Sequence, residues 1–266
     1  MLVGAHCPVS GGYASAMDYL DDIGGNTLQI FYGNPRGWRK KPVDPVKAEE
    51  FKRLRAERNT GPLLIHSPYL INIATRGKVY EKSVKALEEQ VTGSEVLGAE
   101  YFILHPGSSA GGDLKAGIER VTLTLNRLLD SMNPSVKILL ENTAGGKSSV
   151  GRDLDTLLLI RENTGKRVGL CLDTSHAFQS GLDPDSFLSH EFTRYADVVH
   201  ANDSKTPLGS GLDRHTHIGE GHIGVEGFRK TVNHSRLLER PFIIETPGGS
   251  AKDRENISLL KSLRAQ

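Results

Sequence analysis

Eight short apolar runs, helical periodicity in the segments between them and a length of 266 residues predict a single α/β domain, a (β/α)8 TIM barrel. The runs are four to six residues long and nearly continuous rather than alternating, as in strands covered on both faces. About 250 residues is the usual size of this barrel, so 1–266 is read as one domain. An open doubly wound sheet is the alternative arrangement of the same elements.

The first strand is LVGAH at 2–6, followed by a weak helical pattern at 13–22. TLQIFY at 27–32 leads into a second weak pattern at 44–58. After LLIH at 63–66, the segment 80–98 places Val84, Leu87, Val91, Val96 and Leu97 along one side of a helix. YFILH at 101–105 precedes a helix over 113–129, with Leu114, Ile118, Val121, Leu125, Leu128 and Leu129 at spacings of three and four. KILLE at 137–141 is followed by a helix that Asp153 opens and that stops near Gly165. VGLCLD at 168–173 comes next, and Asp183-Pro184 has the form of an N-cap with a first-turn proline. DVVH at 197–200, a weak pattern at 225–238, FIIE at 242–245 and another at 250–264 complete the series.

Six runs end in a residue able to bind a metal: His66, His105, Glu141, Asp173, His200 and Glu245. A seventh ends at His6. The parallel strands of a barrel bring these ends to one mouth, where active sites of this fold lie. Singly, each has a structural explanation, a hydrogen-bonded histidine or a helix-capping carboxylate. Six in register point to a metal site, and imidazole with carboxylate suits Zn, Mn or Fe. In CLDTSHAFQSG (171–181), His176 follows Asp173 by three residues at the strand's turn. In NDSKTPLGSGLDRHTHIGEG (202–221), Asp213 and His215 are two apart, so extended backbone presents both on one side.

Composition limits the partners. With 33 basic and 32 acidic residues, the formal charge of +1 excludes whole-surface attraction to a polyanion. Two cysteines, Cys7 and Cys171, argue for a reducing compartment, and Cys171 is read as a buried thiol beneath Asp173. No apolar run approaches the roughly 18 residues of a membrane span, so a cytoplasmic chain with no membrane partner is expected. One local exception is NPRGWRKK (34–41), which carries four basic residues and the single tryptophan after the second strand.

On these residues the sequence resembles the endonuclease IV family of apurinic/apyrimidinic endonucleases, zinc-dependent barrels of base excision repair. The likeness runs from GAHCPVSGG (4–12) to Glu245 and is carried most specifically by CLDTSHAFQSG and the 202–221 segment. HSPYLIN (66–72) resembles another family motif, with Pro68 where a serine or threonine is usual; the proline restricts Ser67 to extended backbone. The resemblance implies three Zn2+ per chain, with Mn2+ or Fe2+ as possible replacements. His66, His105 and Glu141 match the ligands of a first ion. Glu141 as a bridge, with Asp173, His200 and Glu245, matches a second, and His176, Asp213 and His215 a third.

It further implies hydrolysis of the phosphodiester 5′ to an abasic site in double-stranded DNA, leaving a 3′-hydroxyl and a 5′-deoxyribose phosphate. Removal of 3′ blocking groups is also implied. Uncatalysed phosphate ester hydrolysis is so slow that enzymes supply on the order of 20 kcal/mol. A lone carboxylate base, worth about 10²–10⁴-fold, does not cover that. Glu141 is the catalytic residue in this reading, orienting the attacking hydroxide. Arg36 matches a loop arginine that enters the DNA, and Tyr69 and Leu70 match side chains that wedge into the stack. Lys205 and Arg214 are further phosphate contacts. A monomer, nucleoid-associated while acting on DNA, is expected.

Two rivals use the same residues. A sugar isomerase or epimerase employs a Glu-Asp-His-Glu set like Glu141, Asp173, His200 and Glu245, but leaves His66, His105, His176, Asp213 and His215 surplus. A damage sensor that binds without cleaving has no need of a complete ligand set.

Overall fold

The computed structural model describes residues 1–38 and 42–265; Arg39, Lys40 and Lys41 of the basic loop and Gln266 lie outside the described residues. In chain order come β1 (Val3–His6), α1 (Tyr13–Asp22), β2 (Thr27–Phe31), α2 (Pro45–Glu57), β3 (Leu63–His66) and α3 (Gly77–Val96). β4 (Tyr101–Leu104), α4 (Leu114–Met132), β5 (Lys137–Glu141), α5 (Leu154–Asn163) and β6 (Gly169–Asp173) follow. Three short helices, α6 (Thr174–Ser180), α7 (Pro184–Ser189) and α8 (Glu191–Arg194), lead to β7 (Ala196–His200). A small hairpin of β8 (Asp203–Ser204) and β9 (His215–Thr216) precedes α9 (Gly224–Val232), β10 (Phe242–Ile244) and α10 (Ser250–Leu263).

Eight strands close a barrel in the order β1-β2-β3-β4-β5-β6-β7-β10, every neighbouring pair parallel. Closure rests on β10, which pairs with β1 (Val3↔Phe242) and with β7 (Phe242↔Val199). That closure rules out the open doubly wound sheet. The tight approach of β1 to β2 requires Gly4, because a Cβ there would lie 1.6 Å from the Thr27 carbonyl oxygen.

The barrel interior is filled by Leu64, Ile103, Leu139, Cys171, Val198 and Ile243, one from each of six strands. Burying each aliphatic side chain among them contributes about 1.5–3 kcal/mol. Each of the six lies two residues before a polar rim residue: His66, His105, Glu141, Asp173, His200 and Glu245. Side chains of a strand repeat with period two, so the polar ring stacks directly on an apolar floor. Cys171 is a floor residue, its thiol pushed up to about 12 by burial.

The helices follow their sequence signals with local differences. Asp113, Asp153 and Asp183 each cap a helix, accepting from the backbone N–H of Lys115, Asp155 and Ser186. α4 runs past Leu129 to Met132, where Asn133 turns left-handed. The segment 225–238 is helical only as far as Val232; the Asn233 amide there donates to the carbonyls of Arg229 and Leu263, capping α9 and tying it to α10. The turn expected after Asp173 is instead α6, which starts at once because Asp173 is its N-cap. Among the described residues no helix is long and apolar enough to cross a membrane.

Candidate metal centre

The rim is organised around Glu141, the fully buried last residue of β5. Its Oε2 lies 3.1 Å from His66 Nε2 and 2.8 Å from His105 Nε2. Its Oε1 lies 3.0 Å from His200 Nδ1 and 3.5 Å from His176 Nδ1. The two oxygens thus face different sets of donors, as a bridging carboxylate does. Ligand atoms of His66, His105 and Glu141 fall within 4.8 Å of one another, as do those of Glu141, Asp173, His200 and Glu245.

A third convergence lies beside these. His176 Nε2 and His215 Nε2 are 3.4 Å apart, and Asp213 Oδ1 is 3.4 Å from the first and 3.3 Å from the second. Zinc bonds of about 2.0–2.1 Å in tetrahedral geometry set ligand atoms about 3.3–3.4 Å apart. Asp173 closes the group from below, its Oδ2 3.9 Å from His215 Nε2.

The outer nitrogens of four imidazoles fix which nitrogen faces inward. His66 Nδ1 lies 2.8 Å from the Ser67 carbonyl, His176 Nδ1 2.9 Å from that of Asn142, and His215 Nδ1 3.4 Å from that of Glu245. His200 Nε2 lies 2.8 Å from the Gln29 side-chain oxygen. Those oxygens only accept, so each outer nitrogen donates and each inner one offers a lone pair.

Among the described residues, the ion pairs within the rim join carboxylates to imidazoles. Every ion-pair partner of Glu141 among the described residues is a histidine. Burial opposes ionisation of Glu141, but the charges of His105 and His200 outweigh it and hold the carboxyl well below its ordinary value. The same competition lowers Glu245, through His200, and Asp213, to about 2, through His176. Conversely, burial resists protonation of all three of His66, His176 and His200, yet facing carboxylates raise the first two, and Cys171 with Glu245 and Glu141 raises His200. A buried ring of carboxylates and imidazoles, with no lysine or arginine paired to Glu141 among the described residues, fits divalent cations in place of those protons.

The residues read as DNA contacts surround this mouth. Tyr69 is 67% exposed and meets Phe31 edge to face at 5.6 Å, while Leu70 beside it is half-buried. Arg36 is exposed, in a turn whose backbone N–H donates to the Asn34 side-chain oxygen. Lys205 and Arg214 are exposed at facing positions of the hairpin, the Lys205 N–H donating to the Arg214 carbonyl. Of the remaining histidines, His6 approaches the rim at 3.4 Å from Glu245 Oε1, and His190 caps α8.

Several supporting residues went unread in the sequence. Asn202 donates to Asp173 Oδ2 at 2.6 Å and accepts from the Glu245 backbone N–H at 2.7 Å. Asn142 holds the Asp173 backbone through its amide on both sides. Gln179 donates to Ser204, Ser175 and the Arg214 carbonyl, and Asp203 accepts five backbone N–H groups from 204, 219, 221, 223 and 224. Their one available signal was position: Asn142 follows Glu141, and Asn202 and Asp203 closely follow His200.

Comparison with known proteins places the chain in a family. The xylose isomerase-like TIM barrel family profile matches residues 17–263. The chain is 39% identical to a probable endonuclease 4 of Halothermothrix orenii and 40% identical to that of Methanoculleus marisnigri, covering 99% of this chain and of each relative. The crystal structure of endonuclease IV from Thermus thermophilus superposes with a TM-score of 0.88 at 33% identity, covering 99% of this chain and 98% of that one. The chain therefore belongs to the endonuclease 4 family of xylose isomerase-like TIM barrels.

Proposed function

We propose that the chain is an apurinic/apyrimidinic endonuclease that cleaves double-stranded DNA 5′ to an abasic site, leaving a 3′-hydroxyl and a 5′-deoxyribose phosphate. The same site removes 3′ blocking groups. The observation that carries this reading is the trio His176, Asp213 and His215, converged beside Glu141, Asp173, His200 and Glu245. A sugar isomerase has no use for that trio.

In this reading His66, His105 and Glu141 hold one Zn2+. Glu141, Asp173, His200 and Glu245 hold a second, and His176, Asp213 and His215 a third, with Mn2+ or Fe2+ as replacements. Bound divalent ions lower the pKa of water to about 7 and offset the charge of a phosphodiester. Glu141, facing both inner sets, orients the attacking oxygen toward phosphorus. The apolar floor beneath keeps the charges of the rim in a low-dielectric setting, where each is worth more than in water. Tyr69 and Leu70 wedge into the duplex, Arg36 enters beside them, and Lys205 and Arg214 bind phosphate. The chain works as a monomer in the cytoplasm, on the nucleoid.

A duplex with one tetrahydrofuran abasic analogue tests the proposal. Nicking on the 5′ side, abolished by chelator and restored by Zn2+, is expected, with about three ions per chain by elemental analysis. No incision by metal-loaded protein overturns the nuclease reading, and a single ion per chain favours the isomerase.

A further inference from the structure

Gln29 is a neutral amide at the centre of the apolar strand β2, wholly buried and in register with His6 on β1. Its Oε1 lies 2.8 Å from His200 Nε2. Its Nε2 lies 2.6 Å from Glu245 Oε1 and 2.9 Å from His6 Nδ1. One side chain therefore touches two rim ligands and the neighbouring histidine.

We propose that Gln29 is a positioning residue that selects the nitrogen of His200 and the oxygen of Glu245 presented to a metal ion. The inference rests on the assignment of His200 and Glu245 as ligands. An amide has two unlike ends. Ionised Glu245 only accepts, so the NH2 end of Gln29 faces it and the carbonyl end faces His200. That carbonyl has no hydrogen, so His200 donates from Nε2 and keeps its lone pair on Nδ1, the atom 3.0 Å from Glu141 Oε1 and 3.4 Å from Glu245 Oε2. Glu245 Oε1 is occupied by the amide, which leaves Oε2 for an ion. The second amide hydrogen goes to His6 Nδ1, placing the His6 proton on Nε2, a buried atom with no partner among the described residues. Gln29 does this without adding charge to a rim already crowded with carboxylates. Hydrogen-bonding partners that orient metal ligands in this way typically change metal affinity by about 10–100-fold when removed.

The test loads wild type and Gln29→Met with zinc and titrates each with a competing chelator, alongside incision kinetics on abasic duplex. Methionine fills the volume of glutamine but cannot hold either ligand. Expected is a loss of about 10–100-fold in affinity for one ion of the set, the others keeping wild-type affinity, with kcat falling and KM unchanged. Should Gln29→Met fail to fold, Gln29→Glu, which sets an acceptor against Glu245, carries the same expectation. Wild-type affinity and kcat in a folded variant overturn the role of Gln29. Wild-type protein that binds no zinc overturns the ligand assignment instead.

Discussion

Gly145 and Gly211 meet backbone to backbone: a Cβ on Gly145 would lie 2.6 Å from the Gly211 Cα. The contact pins the loop carrying Asp213 against the loop that follows Glu141. Gly211 is itself held by its N–H, which donates to the Gln179 carbonyl, so the obstruction cannot be relieved by a side-chain rotation.

Gly145→Ala is accordingly expected to displace Asp213 and His215 while leaving the barrel intact. A misplacement of about 1 Å in a catalytic site can cost about 10²-fold, and a loss of that order in kcat/KM is expected. Elemental analysis should show one ion fewer per chain, with an unchanged far-ultraviolet spectrum.

Glu141→Gln keeps the side-chain volume but removes the charge that four histidines face. Incision should fall by at least about 10²-fold, the low end for a positioned acid–base group. Gel shift with abasic duplex should show binding largely retained; normal turnover contradicts the role given to Glu141.

Asp203→Ala strips the acceptor from five backbone N–H groups at once, two of them buried and three half-buried. Hydrogen bonds to a charged group contribute about 1.5–3 kcal/mol each and do not simply add, so a destabilisation on the order of 3 kcal/mol or more is expected in denaturant melts. Limited proteolysis should cut the variant within 205–214 before the barrel itself.

Tyr69→Ala separates binding from folding. With the ring 67% exposed, stability should change by less than about 0.5 kcal/mol. Aromatic stacking on a base is worth about 1–3 kcal/mol, so affinity for abasic duplex should drop by roughly 5–150-fold in a binding titration.

Both thiols are pushed up by burial, Cys7 and Cys171 each to about 12. The thiolate is the reactive form. A raised thiol pKa means that this form is scarce in the folded chain at about pH 8 and stays scarce as the pH rises by a unit. Alkylation followed by mass spectrometry should modify neither cysteine in native protein and both after denaturation.

The barrel and the polar ring at its mouth were legible in the sequence for one reason. Each strand is a dense apolar run that stops at a titratable residue, and parallel strands share a mouth, so Leu64-to-His66 or Val198-to-His200 can be read one strand at a time. Arg36, Tyr69 and Leu70 were singled out only by resemblance, because an exposed tyrosine or arginine leaves no periodicity. Gln29 was not legible at all, and Asn202 and Asp203 only by their position after His200. A neutral amide within a strand and an aspartate in a polar loop acquire meaning only from partners such as Glu245, 216 positions away from Gln29. α6 has no apolar periodicity of its own to show in the sequence; only the capping role open to Asp173 hinted at it, and that carboxylate accepts from the His176 N–H.

The insertion of β10 between β1 and β7 has a consequence for how the rim is assembled as well as for shape. Glu245 reaches the rim only when that last strand docks, long after His66, His105 and Glu141 have been synthesised. A half-folded chain thus lacks the complete polar rim. The rim is assembled by closure of the barrel and is dispersed when the barrel opens.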